Sequence, residues 1–187
     1  MNNILIINGH QFYPYSQGRL NKTLFDEMVS NLSEKYNIKT TVVQDGYDIK
    51  EEQEKFKWAD TIIFQTPIYW FSLPTLFKKY FDEVYEYGVI FQGAEKYGQG
   101  GLLKGKKYMI STTWNAPESE YNNPEGFFKG LDLEGTLEHI HATQRFVGME
   151  PLESFSIHDV ITNPDIEKHI AKLRGHLNQV FALELKV

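Results

Sequence analysis

Three short stretches carry residue types suited to holding a flat, phosphorylated ligand. The first is Thr66-Pro67-Ile68-Tyr69-Trp70-Phe71-Ser72-Leu73-Pro74, a turn bounded by two prolines with three consecutive aromatics inside it. Aromatic rings there offer a stacking surface; the other reading of such a cluster is core packing. The second is Ser16-Gln17-Gly18-Arg19-Leu20-Asn21, which opens a helical pattern. A helix N-terminus presents unpaired amides and a positive dipole end to phosphate. Gly18 lets the backbone approach closely and Ser16 adds a hydroxyl, whereas the plainer reading is an ordinary N-cap with a surface loop. The third is Ser111-Thr112-Thr113-Trp114-Asn115-Ala116-Pro117, where hydroxyls, an indole and an amide end an apolar run. It reads either as a ligand wall or as a structural turn in which Asn115 makes an Asx turn.

These stretches must be positioned by something. Ile4-Leu5-Ile6-Ile7, ending in Asn8-Gly9-His10, reads as a strand buried on both faces. Leu20, Leu24, Met28 and Leu32 recur every fourth residue, giving a helix to about Tyr36. Residues 38–43 form a β-branched second strand. Asp48 caps a charged helix to about Trp58, with Glu51 as its capping-box partner. Residues 61–65 are the third strand, 74–85 a helix, and 107–112 the fourth strand. Residues 88–105 hold six glycines and read as loop, as do 114–130. A helix over 133–147, a short fifth strand at Phe155-Ser156-Ile157 and a closing helix from Pro164 to about Leu183 complete the chain. This alternation predicts one α/β domain over 1–187, a flavodoxin-like three-layer sandwich. Its five parallel strands take the order 2-1-3-4-5, with helices on both faces.

Composition narrows the function. The chain has 187 residues, 19 basic against 25 acidic, and no cysteine. A disulfide framework, a thiolate metal site and a cysteine nucleophile are therefore excluded, and no metal site is expected. The net charge of −6 argues against nucleic acid as a partner. No run is long enough to span a bilayer, and the N-terminal apolar run is too short for a secretory signal, so a cytoplasmic protein is expected. The phosphoacceptor class lacks its carboxylates, since Asn8-Gly9 and Thr66-Pro67 stand where they belong. Gly105-Lys106-Lys107 precedes a strand rather than following one, which excludes a P-loop, and no G-x-G-x-x-G follows the first strand. In the expected strand order the three rims converge at one switch point. Phosphate donors, aromatic stacking and amide donors in that arrangement suit a flavin.

The chain resembles the NAD(P)H:quinone oxidoreductases of flavodoxin-like fold along nearly its whole length. The resemblance rests on Ile4-Leu5-Ile6-Ile7-Asn8-Gly9, Ser16-Gln17-Gly18-Arg19-Leu20-Asn21, Trp58-Ala59-Asp60 and Pro67-Ile68-Tyr69-Trp70. It continues through Lys78-Lys79-Tyr80-Phe81-Asp82-Glu83-Val84, Gly105-Lys106-Lys107-Tyr108-Met109, Thr113-Trp114-Asn115-Ala116-Pro117 and Phe146-Val147-Gly148-Met149-Glu150-Pro151-Leu152. It implies a homodimeric FAD enzyme that moves a hydride from NADPH or NADH to a quinone. By the same resemblance, His10, Ser16, Gly18, Leu20 and Asn21 take the pyrophosphate. Pro67, Ile68, Tyr69 and Trp70 form the shelf for the ring, Thr113, Trp114, Asn115 and Ala116 the facing wall, and Tyr97 a further contact; Phe71, next in the same turn, reads as an addition to the shelf. Phe127 and Phe128, by loop position, line the substrate mouth.

The sequence departs from its relatives in two places: the segment 84–96 is shorter, and Ile68 and Tyr69 replace Gly and Trp. No protein group is assigned as catalytic, because flavin N5 carries the hydride. His139 and His141 lie in a helical stretch and read as structural. Alternating occupation of one flavin face predicts ping-pong kinetics. The rival readings are an FMN-dependent azo- or nitroreductase of the same fold, a flavodoxin-type electron carrier, and a quinone-binding regulator. The long loop 10–18 favours FAD over FMN.

Overall fold

The structure, a computed structural model, describes residues 2–162 and 164–181. Three strands lie at its centre: β1 (Asn3–Asn8), β3 (Thr61–Pro67) and β4 (Lys107–Thr113), buried almost end to end. Their aliphatic runs serve both faces. Ile4, Ile6, Ile63 and Met109 point to one side, where α1 (Arg19–Ser33) and α6 (Ile166–Phe181) supply Leu24, Met28, Leu173 and Leu177. Leu5, Ile7, Ile62, Phe64 and Ile110 point to the other side. There α2 (Ile49–Trp58), α3 (Thr75–Val84) and α5 (Glu138–Phe146) supply Phe56, Phe77, Phe81 and Ile140. The two-residue strand period thus feeds two cores from one sheet. Each fully buried aliphatic or aromatic side chain contributes about 1.5–3 kcal/mol.

The strands pair in parallel, with β2 (Asn37–Val42) at one edge beside β1, then β3 and β4, and β5 (Glu150–Pro151) beyond β4. Asn8 pairs with Gln65, and Pro67 with Thr113, so the carboxyl ends of β1, β3 and β4 share one rim. The Asp48 side chain accepts the Glu51 N–H as the α2 cap.

Two expectations need correction. The fifth strand is two pieces, β5 (Glu150–Pro151) and β6 (Phe155–Ile157), both pairing with β4, which makes six strands. Pro151 has no N–H to continue the ladder. After Leu152 donates to the Tyr108 carbonyl, the chain leaves β4, and Ser154 bonds the Glu134 carboxylate instead. The helix over 133–147 also breaks at Leu137, into α4 (Leu133–Thr136) and α5. Gly135 is a weak helix former, and the Thr136 hydroxyl bonds back to the Leu133 carbonyl. The expected end of the closing helix, at Leu183, lies outside the described residues. No helix among the described residues is long and apolar enough to cross a membrane.

Candidate active site

Loop 1, residues 9–18, leaves β1 at Gly9. A Cβ on Gly9 would lie 2.0 Å from the Phe77 ring, so only glycine lets the strand pass α3 here. The loop folds on a tight turn, with Tyr13 and Ser16 exchanging both backbone hydrogen bonds, 3.0 and 2.9 Å. At its aromatic tip, Tyr13 and Tyr15 stack at 5.4 Å with an interplanar angle of 10°. Gln11 reaches across to accept the Leu76 N–H, capping α3 from outside that helix. Sequence reasoning missed this cap, since no local pattern marks a partner 65 residues away.

α1 begins at Gly18, which is left-handed (φ 70°) and offers no side-chain cap. The first-turn amides of Arg19, Leu20 and Asn21 are therefore uncapped by side chain, as an anion site requires. The His10 ring lies over Gly18, where a Cβ would come within 2.4 Å of Nδ1. His10 is buried, and its Nε2 has no hydrogen-bond partner among the described residues. Burial pushes its pKa below the usual value, and the Ser16 backbone opposes that shift. The three first-turn amides beside Ser16 form a donor set that fits a phosphate, and the unpartnered His10 Nε2 joins it as a donor when it carries a proton. Asn21 differs from the sequence expectation: its side chain is buried beneath the cradle, leaving only its backbone N–H to offer.

Loop 3 follows β3. The Ile68 N–H bonds the Thr113 carbonyl at 3.0 Å, tying this rim to the next. Tyr69 and Ser72 then close a two-residue turn, 2.9 and 3.0 Å, whose central residues are Trp70 (φ 48°) and Phe71 (φ 62°). Positive φ at both centres defines the turn type that normally takes Asn-Gly. Two bulky residues there store strain of about 1–2 kcal/mol each. The closed turn presents Trp70 94% exposed and Phe71 49% exposed at the rim. Tyr69 leans the other way, its hydroxyl 2.7 Å from Ser16 Oγ and its ring edge-on to Tyr13. Burial raises the Tyr69 pKa, so the phenol stays protonated.

Loop 4, which follows β4, supplies the facing wall. Asn115 is exposed and Ala116 half-buried. Trp114 is buried, its Nε1–H donating to Thr112 Oγ1 at 2.8 Å, so it forms the floor rather than an open wall. A cleft of about 460 Å³ opens between Ile68, Trp70 and Phe71 on one side and Asn115, Ala116 and Phe127 on the other. The two neighbouring phenylalanines part ways. Phe127 stacks on Phe71 at 5.1 Å and 18°, at the mouth. Phe128 turns inward onto Tyr121 and Trp114. Glu120 also lines the cleft and accepts the Phe127 N–H at 2.6 Å, which no sequence pattern marks.

Tyr97 is not brought to this cleft. It stands exposed on the glycine-rich segment, its ring 5.7 Å from Phe146 and beside Phe91 and Thr143. His141 is buried between the Tyr108 hydroxyl and Glu134, 2.7 Å from each, and His139, on the same helix, lines a separate pocket with Ser72, Leu73 and Lys78, outside the aromatic cleft.

A doubly wound parallel sheet with an uncapped helix N-terminus after β1 and an aromatic cleft between the β3 and β4 loops places the molecule among the open α/β folds whose rim loops form crevices. The family model described as flavodoxin-like fold matches residues 2–180, and the chain belongs to that family. An uncharacterized protein of Schizosaccharomyces pombe is 40% identical, covering 95% of this chain and 96% of its own. NADPH:quinone oxidoreductase MdaB of Haemophilus influenzae is 38% identical, covering 96% of this chain and 99% of its own. Among solved structures, general stress protein 14 of Treponema denticola, in complex with FMN, superposes with a TM-score of 0.75. It is 21% identical and covers 98% of this chain and all of its own, a likeness of fold.

Proposed function

We propose that this chain is a flavin-dependent NAD(P)H:quinone oxidoreductase. The observation that carries the reading is the donor set at the α1 N-terminus, with the buried, partnerless His10 Nε2, lying beside the aromatic cleft of loops 3 and 4. The full-length likeness to the Haemophilus influenzae NADPH:quinone oxidoreductase supports the same activity. A bound flavin would accept two electrons as hydride from NADPH or NADH and deliver them to a quinone. The chain's own residues bind and orient. His10, Ser16 and the first amides of α1 hold phosphate. Ile68, Trp70 and Phe71 support the ring, and the Asn115 and Ala116 backbone lies where negative charge would be met by donors. Phe127 and Glu120 shape the acceptor's entry.

FAD is the favoured flavin, because the stacked Tyr13–Tyr15 pair beside the cradle gives a second ring system a place to lie. FMN, carried by the Treponema denticola protein, is the second reading. Chromatography of the flavin released from purified protein decides between them. Donor and quinone take turns in one cleft, so double-reciprocal plots at several quinone concentrations should be parallel; intersecting lines would exclude that order. The exposed Tyr97, remote from its own cleft, is accounted for if two copies associate and it serves the other copy's site. Sedimentation equilibrium showing a monomer would remove that assignment. A preparation that binds no flavin and oxidises neither nucleotide with a simple quinone would overturn the whole reading.

A further inference from the structure

Beneath the cradle runs a single chain of buried side-chain hydrogen bonds. Ser111 Oγ donates to Gln65 Oε1 at 2.6 Å, and Gln65 Nε2 donates to Asn21 Oδ1 at 2.8 Å. Asn21 Nδ2 donates to Asn8 Oδ1 at 2.6 Å, and the same oxygen accepts the His10 backbone N–H at 3.1 Å. Gln65, Asn21 and Asn8 are all buried, so no water replaces a lost partner.

The polarity of this chain follows from one fixed group. A backbone N–H can only donate, so Asn8 must turn its oxygen toward His10. That oxygen then requires the amide nitrogen of Asn21. Asn21 therefore shows its own oxygen to Gln65, which must present nitrogen, and the Gln65 oxygen takes the Ser111 hydroxyl. Every orientation is determined, and Gln65 is the link that stops Asn21 turning over. If Asn21 turned, Asn8 would have to turn as well, and the His10 N–H would face a donor. Gln65 also accepts the Gly9 N–H with its main-chain carbonyl at 2.8 Å, so it holds the root of loop 1 directly by its main chain and, through Asn21 and Asn8, by its side chain.

We infer that Gln65 is a positioning residue for the phosphate end of the flavin, acting through Asn21 and Asn8 to hold His10 over the α1 N-terminus. The inference rests on the flavin reading above. Gln65 lines no part of the aromatic cleft. Its loss should therefore be felt by flavins that carry phosphate and not by one that lacks it. A general loss of folding would weaken all flavins alike.

The test is a fluorescence titration of flavin-free protein with FMN, FAD and riboflavin, for wild type and Gln65→Met, with a thermal melt of each. Gln65→Met should bind FMN and FAD about tenfold more weakly. Its riboflavin affinity should stay within about twofold of wild type, the phosphate-free ligand making no use of the anchored loop. Equal loss for all three flavins, or no loss for any, overturns the inference. Should Gln65→Met not fold, Asn21→Leu cuts the same chain one link further on and is expected to give the same split. Wild-type protein that binds none of the three overturns the flavin reading and the inference together, whereas wild-type binding with an unsplit loss overturns the inference alone.

Discussion

The Ser16 hydroxyl and the Tyr69 phenol lie 2.7 Å apart, joining the tip of loop 1 to the start of the loop 3 turn. The two turns are built alike, each closed by a pair of backbone hydrogen bonds, and Tyr13 packs edge-on to Tyr69 between them. The pair therefore sets the separation between phosphate cradle and aromatic cleft. Tyr69→Phe keeps the ring and removes the bond. It should destabilise the flavin-free protein by about 0.5–1.5 kcal/mol, as expected for one half-buried hydrogen bond. A urea denaturation midpoint unchanged from wild type would show that the bond holds nothing.

The Trp70-Phe71 turn predicts a gain in stability at the expense of binding. Trp70 is 94% exposed, so its replacement loses little packing, while its backbone is held left-handed. Asparagine is at ease in that conformation. Trp70→Asn should raise the thermal midpoint, with a gain of about 1 kcal/mol, and weaken flavin binding through loss of the cleft wall. A lowered midpoint would mean that the indole packs in a way its exposure denies.

What could be read in advance divides along physical lines. The aliphatic runs at Ile4-Leu5-Ile6-Ile7 and 61–65 announce a doubly covered parallel sheet, since no other environment hides both faces of a strand. Gly18 before a helical pattern marks a helix start open to close approach, and the structure shows that start without a side-chain cap. The fate of individual rims was not legible. Trp114 and Asn115 are adjacent in sequence, yet one is floor and the other wall, because the Thr112 hydroxyl captures the indole N–H. The same holds for Phe127 and Phe128, separated by a Glu120 carboxylate that bonds the backbone of only the first. The split of the fifth strand turns on Glu134, distant in sequence, which takes Ser154 off the β4 ladder. The role of Gln65 inside an apolar strand depends on a contact with Asn21, 44 residues away.

Histidines make the fold acid-sensitive. Burial is the leading cause of lowered pKa at His10, His139, His158 and His176. In the unfolded chain these groups take up protons as pH falls through 6.5, while the native groups resist until lower pH. Stability is therefore full above about pH 6.5 and is lost as pH falls through the depressed native values. Each histidine contributes a slope of at most about 1.4 kcal/mol per pH unit. His10→Gln should flatten the fall that begins as pH drops below about 6.5. Phosphate beside His10 favours the charged ring, so FMN binding near pH 6 should take up protons. Calorimetry in two buffers of different ionisation enthalpy reads that uptake; identical heats would separate His10 from the phosphate.

Gly9 couples the core to the cradle most directly. It follows β1 with its N–H on the Gln65 carbonyl, and it faces the fully buried Phe77 of α3. The three ring atoms nearest an added Cβ lie at 2.0–2.4 Å, so either the ring or the strand end must move. The ring has little freedom, being packed against Phe64 and Phe81 at 6.2 and 4.7 Å between centroids. The strand end should therefore give way, carrying His10 and loop 1 with it. Gly9→Ala is expected to destabilise the protein by about 1–3 kcal/mol, as overpacking does. It should also weaken FMN more than riboflavin, because the displacement falls on the phosphate side. The double variant Gly9→Ala with Phe77→Leu opens the space and should recover the FMN-to-riboflavin ratio, even though the smaller side chain leaves stability below wild type. Failure of that ratio to recover would show that Gly9 serves loop 1 by its backbone freedom and not by the room it leaves for α3.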